Sequence, residues 1–128
     1  DFGTATTFDY VDASGAYCGG VIAPGVGISL DALVTRTAKL PRIELSWPEK
    51  VLGNDTVPAM RSGVVVGYHA LVEGLIKKID AEVGPVKTVV ATGGLGRLFS
   101  QKTDLIKKYD EHLTLKGLHL IYKMNNDK

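Results

Sequence analysis

The chain has 128 residues, enough for one domain with a real core and short of two. Its 45% hydrophobic and 23% charged shares are those of a globular protein, and a net charge of +1 gives no footing for a nucleic-acid or membrane surface. The single cysteine, Cys18, excludes an internal disulfide and fits a reducing cytoplasm, and no apolar run nears the ~20 residues of a spanning helix.

Residues 5–12, "ATTFDYVD", are rich in threonine and aromatics, which suit a strand. "ASG" at 13–15 reads as a hairpin turn with Gly15 free to take positive φ, and "AYCGGVIAPG" at 16–25 as the returning strand, stopped by Pro24-Gly25. Cys18 is expected in that strand as a small buried apolar residue. "ISLDALVTRTAKL" at 28–40 carries a helical stripe at positions 30, 33, 34, 38 and 40 and ends before Pro41. Residues 41–55 hold Pro41, Pro48 and Gly53 without a sustained period, so they read as an irregular connection.

The strongest periodic segment is 56–83, with Val57, Met60, Val64, Tyr68, Leu71, Leu75 and Ile79 on one face. Asp55 or Thr56 can cap it, and Gly84-Pro85 ends it. Gly63, Gly67, Ala70 and Gly74 form a second stripe of small residues, suited to close approach of another backbone, within the chain or from outside it. "VKTVVATGG" at 86–94 predicts a buried strand and a glycine loop, followed by a short helix in "LGRLFSQKT". "LTLKGLHLIYKM" at 113–124 predicts a last helix with Leu115, Leu118, Ile121 and Tyr122 inward, then a frayed "NNDK". Antiparallel strands followed by a β-then-α succession point to a mixed sheet with flanking helices.

Two loops are candidates for chemistry. In "DFGTAT", Gly3 lets backbone N–H groups approach an anion, and the Thr4 and Thr6 hydroxyls can donate to phosphate oxygens. Asp1 cannot face phosphate directly but can ligate a cation beside it. Composition alone leaves this loop either as that cradle or as a plain hairpin turn with an exposed Asp, and weights the turn. "GNDT" at 53–56 sets a hydroxyl at a helix start, for a ligand or a cap. Glycines 93, 94 and 96 do not fit the dinucleotide GxGxxG spacing. His69, His112 and His119 are not at metal-ligand spacing; His69 reads as packed or solvated. Lys77-Lys78 and Lys107-Lys108 read as solvated faces.

Taken in order, "DFGTATTFD", "GGVIAPG", "TRTAKLP", "GNDT" with "AMRSG", "VVATGG" and "LTLKGL" resemble the C-terminal half of type III pantothenate kinase across nearly the whole chain. The resemblance implies a ribonuclease H-like lobe of the actin-like ATPase kind, in the superfamily of sugar kinases, heat-shock chaperones and actin. It implies a cytoplasmic, homodimeric enzyme that phosphorylates pantothenate from ATP, the first step of coenzyme A synthesis, with Mg2+ and a monovalent cation, K+ or NH4+. By motif, Asp1 would ligate the monovalent cation, Thr4 would contact ATP phosphate with Gly3 and Ala5 shaping the loop, and Gly93 and Gly94 would lie near the adenosine. Thr56 would hydrogen-bond pantothenate, and Arg36 would reach substrate across a dimer interface. Asp55 stands where the family's motif has Asn.

The family's first phosphate loop and its GxDR motif, whose aspartate is the proposed general base, belong to an N-terminal half and are not in residues 1–128. No catalytic residue is therefore expected in this chain. Residues 1–128 are expected to be a single domain, one lobe of two, catalytically silent alone, with the last strand of the other lobe running into Asp1. Another sugar kinase of the superfamily and a non-catalytic, nucleotide-binding regulatory relative are the competing readings.

Overall fold

Threonine, aromatic and β-branched side chains build β1 (Ala5–Val11), which pairs antiparallel with β2 (Tyr17–Pro24), Ala5 opposite Pro24 and Asp9 opposite Gly20. The computed structural model describes residues 1–127. The turn is held by the Asp12 carboxylate, which accepts from the Ser14 amide at 2.8 Å, the Ser14 hydroxyl at 2.6 Å and the Ala16 amide at 3.0 Å. Gly15 takes φ 87°, as a turn of this kind requires. The expected hairpin is thus present. Cys18, expected to be buried, is exposed: it lies on the open face of a two-stranded ribbon that nothing covers among the described residues. Local desolvation and the neighbouring Asp12 carboxylate raise its thiol above the usual range.

Helix α1 (Val26–Thr35) buries Val26 and Leu30. It stops five residues short of the predicted end at Leu40. The Thr35 and Thr37 hydroxyls bond back to the carbonyls of Asp31 and Leu33, and these β-branched residues compete with the helical ladder in the last turn. Residues 41–55 are irregular, as the prolines and Gly53 require, and Trp47 anchors them by donating from Nε1 to the Leu98 carbonyl at 2.8 Å.

The long helix forms as α2 (Thr56–Arg61), a π-turn (Ser62–Val66) and α3 (Gly67–Val83). The π-turn moves the predicted core face. Met60, Val64 and Tyr68 are buried as expected, but Val65, Val72 and Ile76 take the next places, and Val57 is exposed. One residue added to a turn shifts every later position around the axis, so Leu71 and Leu75 are left half-buried. Gly63, Gly67 and Ala70 are exposed, and a Cβ built at Gly63, Gly67 or Gly74 would meet no other atom within 4 Å, so the small-residue stripe packs against nothing in this chain among the described residues.

Beyond Gly84 (φ 89°), the β-branched run pairs over a short stretch only: β3 (Val90–Ala91) lies parallel to β4 (Lys108–Tyr109). The buried strand expected before the glycine loop in 86–94 is therefore cut to two residues, with Val90 exposed, and β4 is not among the expected elements. Helix α4 (Gly96–Ser100) follows the glycine loop as expected. The chain is mixed α/β, but its sheets are two separate pairs, β1–β2 and β3–β4, rather than one.

Helix α5 (Leu113–Asn126) buries no residue. Leu115, Leu118, Ile121 and Tyr122, expected inward, are 58–65% exposed, because α5 leaves the body of the domain after Asp110. Asn125 and Asn126, expected to fray, are helical, and Lys128 lies outside the described residues.

The core sits between the hairpin, α1, the π-turn, α3 and α4. Phe99 is its centre, fully buried, stacked on Phe2 at 5.5 Å and packed against Tyr68 at 5.4 Å. Burying such a ring contributes about 1.5–3 kcal/mol.

Candidate functional site

The opening loop is a tight reversal. The Asp1 amino nitrogen donates to the Thr7 carbonyl at 2.8 Å and the Thr7 amide returns to the Asp1 carbonyl at 3.0 Å. Phe2 bridges antiparallel to Thr6, and the Gly3 amide closes the tip on Ala5 at 3.1 Å. Phe2 and Thr6 are buried, while Asp1, Gly3 and Thr4 are exposed. The residues that hold the loop thus point in, and those that could meet a ligand point out.

Two other loops press on it from either side. The Gly25 amide donates to the Thr4 carbonyl at 3.1 Å, and a Cβ at Gly25 would overlap that oxygen, at 2.0 Å. On the other flank the Phe2 amide donates to the Thr92 carbonyl at 2.8 Å. Gly93 (φ 96°) lies so close to Phe2 that a Cβ there would come within 2.5 Å of its carbonyl oxygen. Gly94 stands exposed with open space at its Cα. The structure therefore gathers "DFGTAT", "APG" and "TGG" at one place. The Thr4 hydroxyl makes no hydrogen bond among the described residues, nor does the Asp1 carboxylate, so a donor and an anionic oxygen pair are both free at the tip. Such a tip can meet phosphate oxygens with Thr4 and seat a cation with Asp1.

Two more residues, Thr56 and Arg36, are expected at the site. Thr56 begins α2, exposed, with Asp55 as the cap: the Asp55 carboxylate accepts from the Thr56 amide at 2.7 Å. Capping thus falls to Asp55 and leaves the Thr56 hydroxyl uncommitted among the described residues. Arg36 closes α1, exposed. No hydrogen bond or ion pair joins either to the opening loop among the described residues. His69 is packed, as expected: its Nε2 lies 3.1 Å from the Lys102 carbonyl and its ring meets Trp47 edge-on at 5.2 Å.

The sequence profile of the type III pantothenate kinase family matches residues 1–78. A type III pantothenate kinase of Rhodospirillum rubrum is 54% identical over 125 residues, 98% of this chain and 49% of its own length. One of Brevibacillus brevis is 55% identical over 125 residues, again 98% of this chain and 49% of its own. The chain belongs to the type III pantothenate kinase family. It spans about half the length of the curated relatives it matches, their C-terminal half. A crystal structure from Campylobacter jejuni, assigned to the Baf family of transcriptional activators, superposes with a TM-score of 0.66 at 25% identity, over 98% of this chain and 56% of the other.

In this kinase-family chain, two tyrosines outside the expected site residues, Tyr68 and Tyr109, brace the opening loop and its glycine flank. Tyr68 reaches both the Thr6 hydroxyl and, at 2.9 Å, the Pro24 carbonyl. A carbonyl only accepts, so the single Tyr68 proton goes to Pro24 and Thr6 donates to Tyr68. Burial raises the Tyr68 hydroxyl above its usual range, so it stays protonated and keeps that bond. Tyr109 donates to the Gly93 carbonyl at 2.6 Å. The signal for Tyr68 was its place in an apolar helical stripe, where a phenol must find a partner. Tyr109 gave none, because β4 was not foreseen.

Proposed function

We propose that this chain is the C-terminal lobe of an enzyme that transfers the γ-phosphoryl group of ATP to pantothenate, and that the opening loop receives the ATP phosphates. The observation that supports this most directly is the convergence of Gly25 and Gly93 on a loop whose tip presents Thr4 and Asp1 outward. Phosphoryl transfer asks a protein mainly for positioning and charge neutralisation. Thr4, with Gly3 and Ala5 shaping the turn, supplies donors to phosphate oxygens, and Gly94 leaves bare backbone for the adenosine beside Gly93, whose own bare side packs on Phe2. The unpaired Asp1 carboxylate fits K+ as one oxygen ligand, the rest of the shell coming from phosphate, water and the other lobe. Mg2+ with ATP would neutralise charge on the transferring group. The free Thr56 hydroxyl suits a polar substrate such as pantothenate, and Arg36 acts across a homodimer interface to which the open small-residue face of α3 contributes. The lobe is read as ribonuclease H-like, working in the cytoplasm, with the general base on the N-terminal lobe.

The test is ATP-dependent phosphorylation of pantothenate by the chain joined to its N-terminal half, with residues 1–128 alone as comparison. Turnover by the joined chain and none by the lobe is expected; near-normal turnover by the lobe alone would overturn the division of labour. A second reading rests on the likeness to the Campylobacter jejuni structure: a regulatory relative that binds nucleotide without catalysis. Binding of ATP by the joined chain without phosphorylation of pantothenate or of a panel of sugars would favour it.

A further inference from the structure

Trp47 is the sole tryptophan of the chain and lies in the middle of the irregular segment 41–55. On both sides of it, that segment is bound to the start of the long helix. The Arg61 Nε donates to the Glu44 carbonyl at 3.3 Å, and the Ser62 hydroxyl donates to the Val51 carbonyl. Gly53 lies against the helix backbone, where a Cβ would stand 2.4 Å from the Ala59 nitrogen. Residues 44–53 therefore keep their place relative to α2, which begins at Thr56.

The glycine loop and α4 form a second unit. The Gly96 amide donates to the Gly93 carbonyl and the Leu98 amide to the Leu95 carbonyl, both at 3.1 Å, so loop and helix are one hydrogen-bonded piece. Phe99 roots this piece in the core, but apolar burial is non-directional and leaves its tilt undefined. A hydrogen bond supplies direction. Among the described residues, one such bond runs from segment 41–55 to the piece: the Trp47 Nε1 donates to the Leu98 carbonyl at 2.8 Å. The indole is itself held in place. His69 meets it edge-on at 5.2 Å and Phe99 at 6.2 Å, and the Lys102 ammonium stands 5.5 Å from its centroid.

We infer that Trp47 is a positioning residue, a strut whose indole N–H sets the spacing between the loop proposed to carry the nucleotide and the helix start proposed to carry the acceptor. The inference rests on that reading of Gly94 and Thr56. Neither end needs Trp47 for its own shape. The turn from Gly93 to Gly96 closes on its own hydrogen bond, and Asp55 caps the helix at Thr56. Removing the strut therefore leaves each ligand's contacts in place and loosens the alignment of one bound ligand with the other. In phosphoryl transfer the attacking and leaving oxygens must stand in line, and a misplacement of about 1 Å can cost ~100-fold in rate. The effect belongs in the rate of the bound complex, not in the binding of either ligand.

The test uses the joined enzyme with the benzothiophene analogue of tryptophan at position 47, which keeps the bicyclic ring and lacks the N–H. Trp47→Phe is the second variant, and thermal unfolding verifies that each is folded. Single-turnover rates with ATP and pantothenate both saturating are expected to fall about tenfold or more, while the half-saturating concentration of each ligand stays within about threefold of the parent. A parent-like rate in the folded analogue would overturn the inference, because the ring without its N–H would then suffice. A loss confined to the half-saturating concentration of one ligand would overturn it too, because Trp47 would then serve that ligand and not the alignment of the pair. Failure of the parent itself to phosphorylate pantothenate would overturn the kinase reading, and this inference with it.

Discussion

Gly93 and Phe2 share a contact that no side chain at Gly93 could allow: a Cβ there would stand 2.5 Å from the Phe2 carbonyl oxygen and 2.6 Å from its amide nitrogen. Gly93 also holds φ 96°, where L side chains are strained. Gly93→Ala should therefore destabilise the chain by roughly 2–4 kcal/mol, the strain and the backbone clash acting together. Urea unfolding measures it. Gly94, with open space around it, gives a control: Gly94→Ala should lie within about 1 kcal/mol of the parent.

The Tyr68 hydroxyl ties α3 to both strands of the hairpin at the base of the opening loop. Tyr68→Phe should cost about 1–3 kcal/mol, because it leaves the Pro24 carbonyl and the buried Thr6 hydroxyl short of a partner. Thr6→Val should cost less once Tyr68 is already Phe. A double-mutant cycle reads that coupling, and strict additivity would show that the two hydroxyls do not act as a pair.

The turn at Asp12 predicts a pH dependence. Three hydrogen bonds from Ser14 and Ala16 hold its carboxyl at about 2, below the ordinary 3.8. A depressed acid stabilises the fold above its unfolded value, and that contribution is lost as the pH falls from 3.8 towards about 2. Asp12→Ala should lower the unfolding midpoint near neutral pH and shrink the gap to the parent in that acid window. A gap that stays constant down to pH ~2 would contradict the assignment.

In the joined enzyme, Thr4→Val should lower kcat/KM for ATP by roughly 10–100-fold, the worth of a hydrogen bond to a charged oxygen. Asp1→Asn should remove most of the activation by K+ while leaving the fold intact, since the Asp1 carboxylate makes no bond within the described residues. Steady-state rates across a potassium titration separate the two variants, and an unchanged potassium response in Asp1→Asn would clear Asp1 of that role.

The open face of α3 can be tested by Gly67→Leu. The helix itself should gain about 0.5–1 kcal/mol, because leucine is the better helix former and space is open there. If that face carries the dimer contact, the joined enzyme should fall from dimer to monomer in mass measurements despite the stabler helix. A dimer that survives unchanged would remove α3 from the interface.

Local chemistry was legible wherever a residue's neighbours in sequence decide its state. Asp12 and Gly15 fixed the first turn, the threonine-rich segment fixed β1, and the period of 56–83 fixed a long helix ended at Gly84. The motifs of the opening loop, and the family they resemble, were readable for the same reason: each lies within a few consecutive residues.

What only the tertiary structure decided depends on partners far along the chain. The π-turn exchanged Leu71 and Leu75 for Val72 and Ile76 in the core, a shift that no spacing rule contains. An apolar stripe on α5 signals a face that wants cover, not whether this lobe covers it, and here that face stays open. A β-branched run tells that a strand can form, but a ladder needs an edge to pair with, and residues 86–91 find one only on the β4 side. The meeting of Gly25 and Gly93 around Phe2 and Thr4 was likewise invisible, because contact between bare backbones across such separations is set by the packing of the whole domain.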